Sequence, residues 1–243
     1  MEAARIPKEE LRSVITGLER SYSVIGPKRE GGAIVLSGIG FDDIPSGSTD
    51  RHGNGTCRTG GEKPGYIFSF LPGPHSFKTF LNPAVQETAN FRRTKKKLEI
   101  SQCLTGERPM AFIGMRSCDL AALRLLDKVF LYGVAEDPHY KSRRRDIFIL
   151  AVNCVTPGEN CFCASMGTGP EATGGFDLAL TEFDNGFLVE AGSPKGRSLM
   201  AAARWKAANG RDREEKSATI SECRKAMKKK MEIGDLPGVL YRN

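Results

Sequence analysis

Seven cysteines occur in this 243-residue chain, yet no two of them form a C-x-x-C pair. That spacing is the usual one for zinc knuckles, so the commonest thiol-based metal module is excluded. Histidine is scarce. His52, His75 and His139 share no close spacing, and no Ser–His–Asp or Cys–His arrangement can be built on them. Of the three, His75 stands out by position, at an expected strand-to-helix turn in G-P-H-S-F-K. No apolar run approaches the ~20 residues that a membrane-spanning helix needs. The opening M-E-A-A-R-I-P-K-E-E lacks the apolar stretch of a secretory signal. Internal repeats are absent too. The Gly-rich G-T-G-P at Gly167–Pro170 lacks the Lys-Ser/Thr ending and the following helix of a phosphate loop. A cytoplasmic protein is the expectation, and there clustered thiols serve metal or redox chemistry more often than structural disulfides.

The composition is that of an ordinary globular protein, with 40% apolar and 8% aromatic residues. The net charge of +7 is concentrated late: Arg204 to Lys230 holds ten Lys/Arg against four Asp/Glu. With a single aromatic, Trp205, and no nucleic-acid module, this stretch reads as a solvated helical surface or a docking face for an acidic partner. Nucleic acid is not the expected partner.

Apolar periodicity predicts an α/β fold: a mainly parallel sheet containing a βαβ unit, with a helical C-terminal extension. Leu11, Val14, Ile15 and Leu18 mark an amphipathic helix within Lys8 to Tyr22. Strands are expected at Ala33–Leu36 and Tyr66–Leu71, separated by a Gly/Ser-rich loop over Ser46–Gly65 that holds Cys57, and a helix near Ser76–Phe80. The βαβ unit is a buried strand at Met110–Met115, a helix at Asp119–Leu131, a polar turn from Glu136 through a solvated Arg143–Arg145, and a second strand at Asp146–Val152. Phe176–Leu180 and Phe187–Ala191 read as a hairpin turning at Asp184, Asn185 and Gly186. From Ser198 the chain is helical and basic, with a break at Asn209-Gly210. The expected division is an α/β domain over 1–195 and a basic helical extension over 196–243.

The chemistry is expected between Asn153 and Pro170, N-C-V-T-P-G-E-N-C-F-C-A-S-M-G-T-G-P, where Cys154, Cys161 and Cys163 fall within ten residues. Cys118 follows the first strand of the βαβ unit and Cys154 follows the second. Parallel strands point their C-terminal ends the same way, so the two thiols belong at one sheet edge, where α/β proteins bind ligands. A Gly/Pro loop returns Cys161 and Cys163 to that edge. Four thiols close one zinc site or hold one iron–sulfur cluster, most simply 4Fe–4S. The irregular C-x₆-C-x-C spacing favours the cluster, with zinc, redox thiols and inert packing as alternatives. Asp119 reads as a helix cap or an oxygen ligand. Cys57, Cys103 and Cys223 read as isolated small residues.

At these residues the chain resembles the β, iron–sulfur subunit of sulfhydrogenases, a family that also includes a related subunit of anaerobic sulfite reductase. The resemblance rests on G-P-H-S-F-K-T-F-L (Gly73–Leu81), G-M-R-S-C-D-L-A-A (Gly114–Ala122), D-P-H-Y-K-S-R-R (Asp137–Arg144), and the Asn153–Pro170 segment followed by G-F-D-L-A-L-T-E. It implies electron relay between the catalytic and the flavin- and NAD(P)-binding subunits of a complex, through iron held by Cys118, Cys154, Cys161 and Cys163 with Asp119 beside them. It also implies a following ferredoxin-like module, which this sequence does not contain. A non-redox scaffold whose cysteines bind zinc or nothing is the rival reading.

Overall fold

The computed structural model describes residues 2–31, 33–45, 65–68, 70, 75–94, 97–102, 108–231, 234 and 238. Cys57, Cys103 and nearly all of the Ser46–Gly65 loop lie outside them. In chain order the elements begin with β1 (Ala3–Ile6), α1 (Glu10–Glu19), β2 (Ser23–Glu30), β3 (Ala33–Gly38) and α2 (Lys78–Leu81). A small hairpin of β4 (Ala89–Arg93) and β5 (Leu98–Gln102) precedes β6 (Met110–Met115), α3 (Ser117–Phe130), α4 (Pro138–Arg145) and β7 (Phe148–Val152). The chain continues through β8 (Leu178–Phe183), β9 (Gly186–Ala191), α5 (Pro194–Ala203), β10 (Lys206–Ala207) and α6 (Gly210–Ala226).

Eight strands form one sheet in the order β10-β1-β9-β8-β7-β6-β2-β3. Its middle is parallel, β2 to β6 to β7 to β8, and antiparallel strands flank it on both sides. The expected α/β fold is present, with the βαβ unit at its centre. Alternate residues of a strand face opposite sides. Phe148, Leu150 and Val152 of β7 therefore pack with Leu11, Val14, Ile15 and Leu18 of α1. Ile149 and Ala151 pack with Leu120 and Leu123 of α3 and Tyr140 of α4. With both faces covered, β6 and β7 are buried at every position, which is why their sequences are unbroken apolar runs.

Three expectations are corrected. The polar turn before β7 is a helix, α4: Asp137 caps it by accepting from the His139 and Tyr140 amides, and Pro138 occupies its first turn. Its arginines are not simply solvated. Arg144 pairs with Asp127 on α3 at 3.0 Å, and Arg143 donates to Gln86 at 3.0 Å. The segment Tyr66–Leu71 forms no strand at its described residues. The amides of Ile67 and Phe68 donate to the Glu182 carboxylate at 2.6 and 2.8 Å, and the carbonyls of Phe68 and Phe70 accept from Arg116. Side chains thus satisfy a backbone that the sequence placed in a sheet.

Five strands escaped the sequence reading: β1, β2, β4, β5 and β10. β1 has only four residues, and β2 carries Gly26 and Pro27 in its interior. Pro27 is tolerated because β2 pairs with β6 only through Ser23, Val24 and Ile25, so its missing amide proton leaves no gap in that ladder.

Candidate functional site

The site lies beyond the C-terminal ends of β6 and β7. β6 has an irregularity there: Ile113 pairs with Leu150 and Met115 with Ala151, so Gly114 is an inserted residue, at φ +82°. Such a bulge re-aims the residues that follow. Arg116 and Ser117 come next, both 3% exposed, and α3 starts at Ser117, two residues earlier than periodicity suggested. Asp119, in the first turn of α3, accepts from the Arg116 amide at 3.0 Å. Its carboxylate is thus occupied as a helix cap.

After β7, Asn153 fixes the cysteine loop at both ends. Its side chain donates to Thr181 Oγ1 at 2.8 Å on β8 and accepts from the Ala172 amide at 2.8 Å. The Cys154 amide donates to the Pro170 carbonyl at 3.1 Å. Between these ties the loop is built from tight turns: Cys161 N to Gly158 O, Ser165 N to Phe162 O, and Thr168 N to Cys163 O. Backbone also reaches sulfur directly, since the Gly158 amide donates to Cys161 Sγ at 3.2 Å. Gly169 lies against both Ser117 Oγ and Cys163 Sγ, so a Cβ there would strike both. The loop and the start of α3 are therefore in contact.

Of the four cysteines named from sequence, Cys118 lies in the first turn of α3, and Cys154, Cys161 and Cys163 lie on the loop. Desolvation, followed by Asp119, Cys154 and Cys163, pushes the Cys118 thiol up to about 12, although part of this residue reaches solvent. Burial raises Cys154, and the positive charge of the Arg116 guanidinium opposes it. Burial, with Cys154 and Cys161 nearby, pushes Cys163 up to about 11. Cys223, read from sequence as isolated, joins them. It is 1% exposed on α6, and burial together with Cys154, Cys163 and Cys161 pushes it up to about 12. No sequence signal pointed to it, because its neighbours come from a loop some sixty positions earlier.

α6 lies over the loop. Met227 Sδ is 4.0 Å from Cys163 Sγ, and the Met231 amide donates to Ser165 Oγ at 3.2 Å. Lys216 reaches Glu171 and Glu190, each at 2.6 Å. β10, between α5 and α6, extends the sheet by pairing with β1.

Two buried polar atoms at the start of α3 lack partners. Arg116 Nε and Ser117 Oγ have no hydrogen-bond partner. Each is a donor left unsatisfied, a costly state away from water. Among the described residues, no three His, Cys, Asp or Glu side chains are grouped closely enough to hold a single metal ion. Five thiols, a buried guanidinium and two orphaned donors instead suit an anionic, sulfur-rich group larger than one ion. A thiolate-ligated iron–sulfur cluster has that chemistry. Of the remaining candidates, His75 borders a cavity beside Phe77 and Asp119, and His139 is buried in α4. Among the described residues no helix is long and apolar enough to cross a membrane.

Against known proteins, 105 residues of the chain are 39% identical to sulfhydrogenase 2 subunit beta of Pyrococcus furiosus. The match covers 43% of this chain and 30% of that protein's length. No protein-family model matches the chain. No solved structure matches it either.

Proposed function

We propose that this chain is an electron-transfer subunit, or part of one, in a hydrogenase- or sulfite-reductase-like oxidoreductase complex, and that it carries an iron–sulfur cluster at the thiol site. The observation that supports this most is that the cysteine loop packs against both the start of α3, next to Cys118, and the Cys223 face of α6. The similarity to the beta subunit of a sulfhydrogenase agrees with it.

A bound cluster supplies one-electron chemistry, and the chain contributes no substrate chemistry of its own. Cys154, Cys161 and Cys163 hold the cluster from the loop, and the sequence offers Cys118 as the fourth thiolate. The Gly158 amide and the two orphaned donors offset its negative charge, which favours the reduced state. The partners are catalytic and flavin- and NAD(P)-binding subunits, in the cytoplasm.

Anaerobic reconstitution with iron and sulfide tests the reading. About four irons per chain, brown absorbance near 400 nm and an EPR signal on reduction are expected for a 4Fe–4S cluster. Cys154→Ser should abolish all three. A colourless chain that binds zinc, or nothing, would make it a scaffold instead.

A further inference from the structure

A four-iron cluster takes four thiolates, and two thiols outside the loop, Cys118 and Cys223, stand near the three within it. We propose that Cys223 of α6 is the fourth cluster ligand, with Cys118 left at the rim of the site. This inference rests on the iron–sulfur reading above.

Burial separates the two candidates first. Cys223 is 1% exposed, whereas Cys118 is exposed. Placement separates them next. Four residues along the same face from Cys223, Met227 brings its Sδ to 4.0 Å from Cys163 Sγ, so this face of α6 lies against the loop thiols.

The third argument concerns what seats α6. Ile220, Cys223 and Met227, spaced three and four apart, share one helix face and are buried. Beyond them this helix of 17 residues is polar, G-R-D-R-E-E-K-S-A-T-I-S-E-C-R-K-A. Two apolar side chains are a thin stripe for a helix of that length. Polar contacts orient it: Arg5 of β1 with Glu215 at 3.0 Å, Lys216 with Glu171 and Glu190, the Met227–Cys163 approach and the Met231–Ser165 hydrogen bond. The last two bring the Cys223 face to the loop. Ligation by Cys223 supplies the anchor that apolar burial leaves short, and makes docking of the C-terminal helix depend on the cluster.

The full chain is reconstituted anaerobically as wild type, Cys118→Ser and Cys223→Ser, and circular dichroism of the iron-free proteins checks that each is folded. The readouts are iron per chain, EPR of the reduced protein, hydrogen exchange along α6, and iodoacetamide labelling of the loaded wild type. Loss of the wild-type EPR signal in Cys223→Ser is expected, with faster exchange along α6. In the loaded wild type Cys223 is expected to label only after chelation and unfolding. A Cys223→Ser protein with wild-type iron content and EPR would overturn the inference, as would labelling of Cys223 in the loaded protein. A wild type that takes up no iron would instead overturn the cluster reading itself.

Discussion

Asn153 joins β7, β8 and the far end of the cysteine loop through one buried amide. Its substitution by Ala removes two hydrogen bonds of 2.8 Å. The partners left behind are Thr181 Oγ1, on a fully buried residue, and the amide of Ala172, which is 7% exposed. Each buried polar group left unpaired costs about 1–3 kcal/mol. Asn153→Ala should therefore destabilise the chain by about 2–6 kcal/mol, and at ~2–4 °C per kcal/mol for a chain of this size the melting temperature should fall by roughly 4–24 °C. Thr181→Val keeps shape and strands only the Asn153 amide, at about 1–2 kcal/mol. Urea unfolding of the iron-free chain measures both, and the double variant should show non-additivity of at least ~0.5 kcal/mol because the residues touch. A cost below ~1 kcal/mol for Asn153→Ala, or a larger cost for Thr181→Val, would refute the role assigned to this amide.

Lys216 illustrates a different balance. Burial pulls its pKa down, but hydrogen bonds to Glu171 and Glu190 outweigh that and hold it above the ordinary lysine value. Because the folded pKa is the higher one, its contribution should be complete below about pH 10.4 and lost as pH rises through the folded pKa, as urea midpoints against pH would register. Lys216→Met should cost ~1–3 kcal/mol at neutral pH and flatten that alkaline loss. Gly186, at φ +151°, has the Ile6 carbonyl where a Cβ would sit, so Gly186→Ala should cost at least ~2 kcal/mol in thermal melts. Phe91, 69% exposed on the β4–β5 hairpin, should accept Ser with a stability change within ~0.5 kcal/mol.

Much of the fold was legible where burial on both faces imposes a continuous apolar run. Met110–Met115 and Phe148–Val152 are such runs, and the stripe of α3 between them leaves little freedom in how they pair. The hairpin was legible for a local reason, since Asp184 and Asn185 make a two-residue turn before Gly186. α4 was hidden because its composition, P-H-Y-K-S-R-R-R, has too few apolar residues for a periodic signal. Only His139 and Tyr140 are buried in it, and Arg144 docks it through Asp127 instead. β2 was hidden by Gly26 and Pro27, whose usual meaning as breakers is cancelled by where its neighbour strand ends.

Locally, the site could be read from spacing; its completion could not. Cys154, Cys161 and Cys163 are neighbours in sequence, and topology brings Cys118 to them. Arg116 and Cys223 arrive by tertiary routes, one aimed inward by the Gly114 bulge and the other laid down by a helix whose polar sequence resembles any solvated surface. Their arrival bears on whether the loop thiols are ordinary core filling. Inert packing would not leave buried donors at Arg116 Nε and Ser117 Oγ without acceptors. Leaving donors unpaired is a stability loss that a fold sheds unless an acceptor serves them. Sulfide and thiolate are acceptors of the right charge. On the iron–sulfur reading proposed above, a sulfur-rich anion would serve these two donors, and Arg116 is where tuning of its potential should reside.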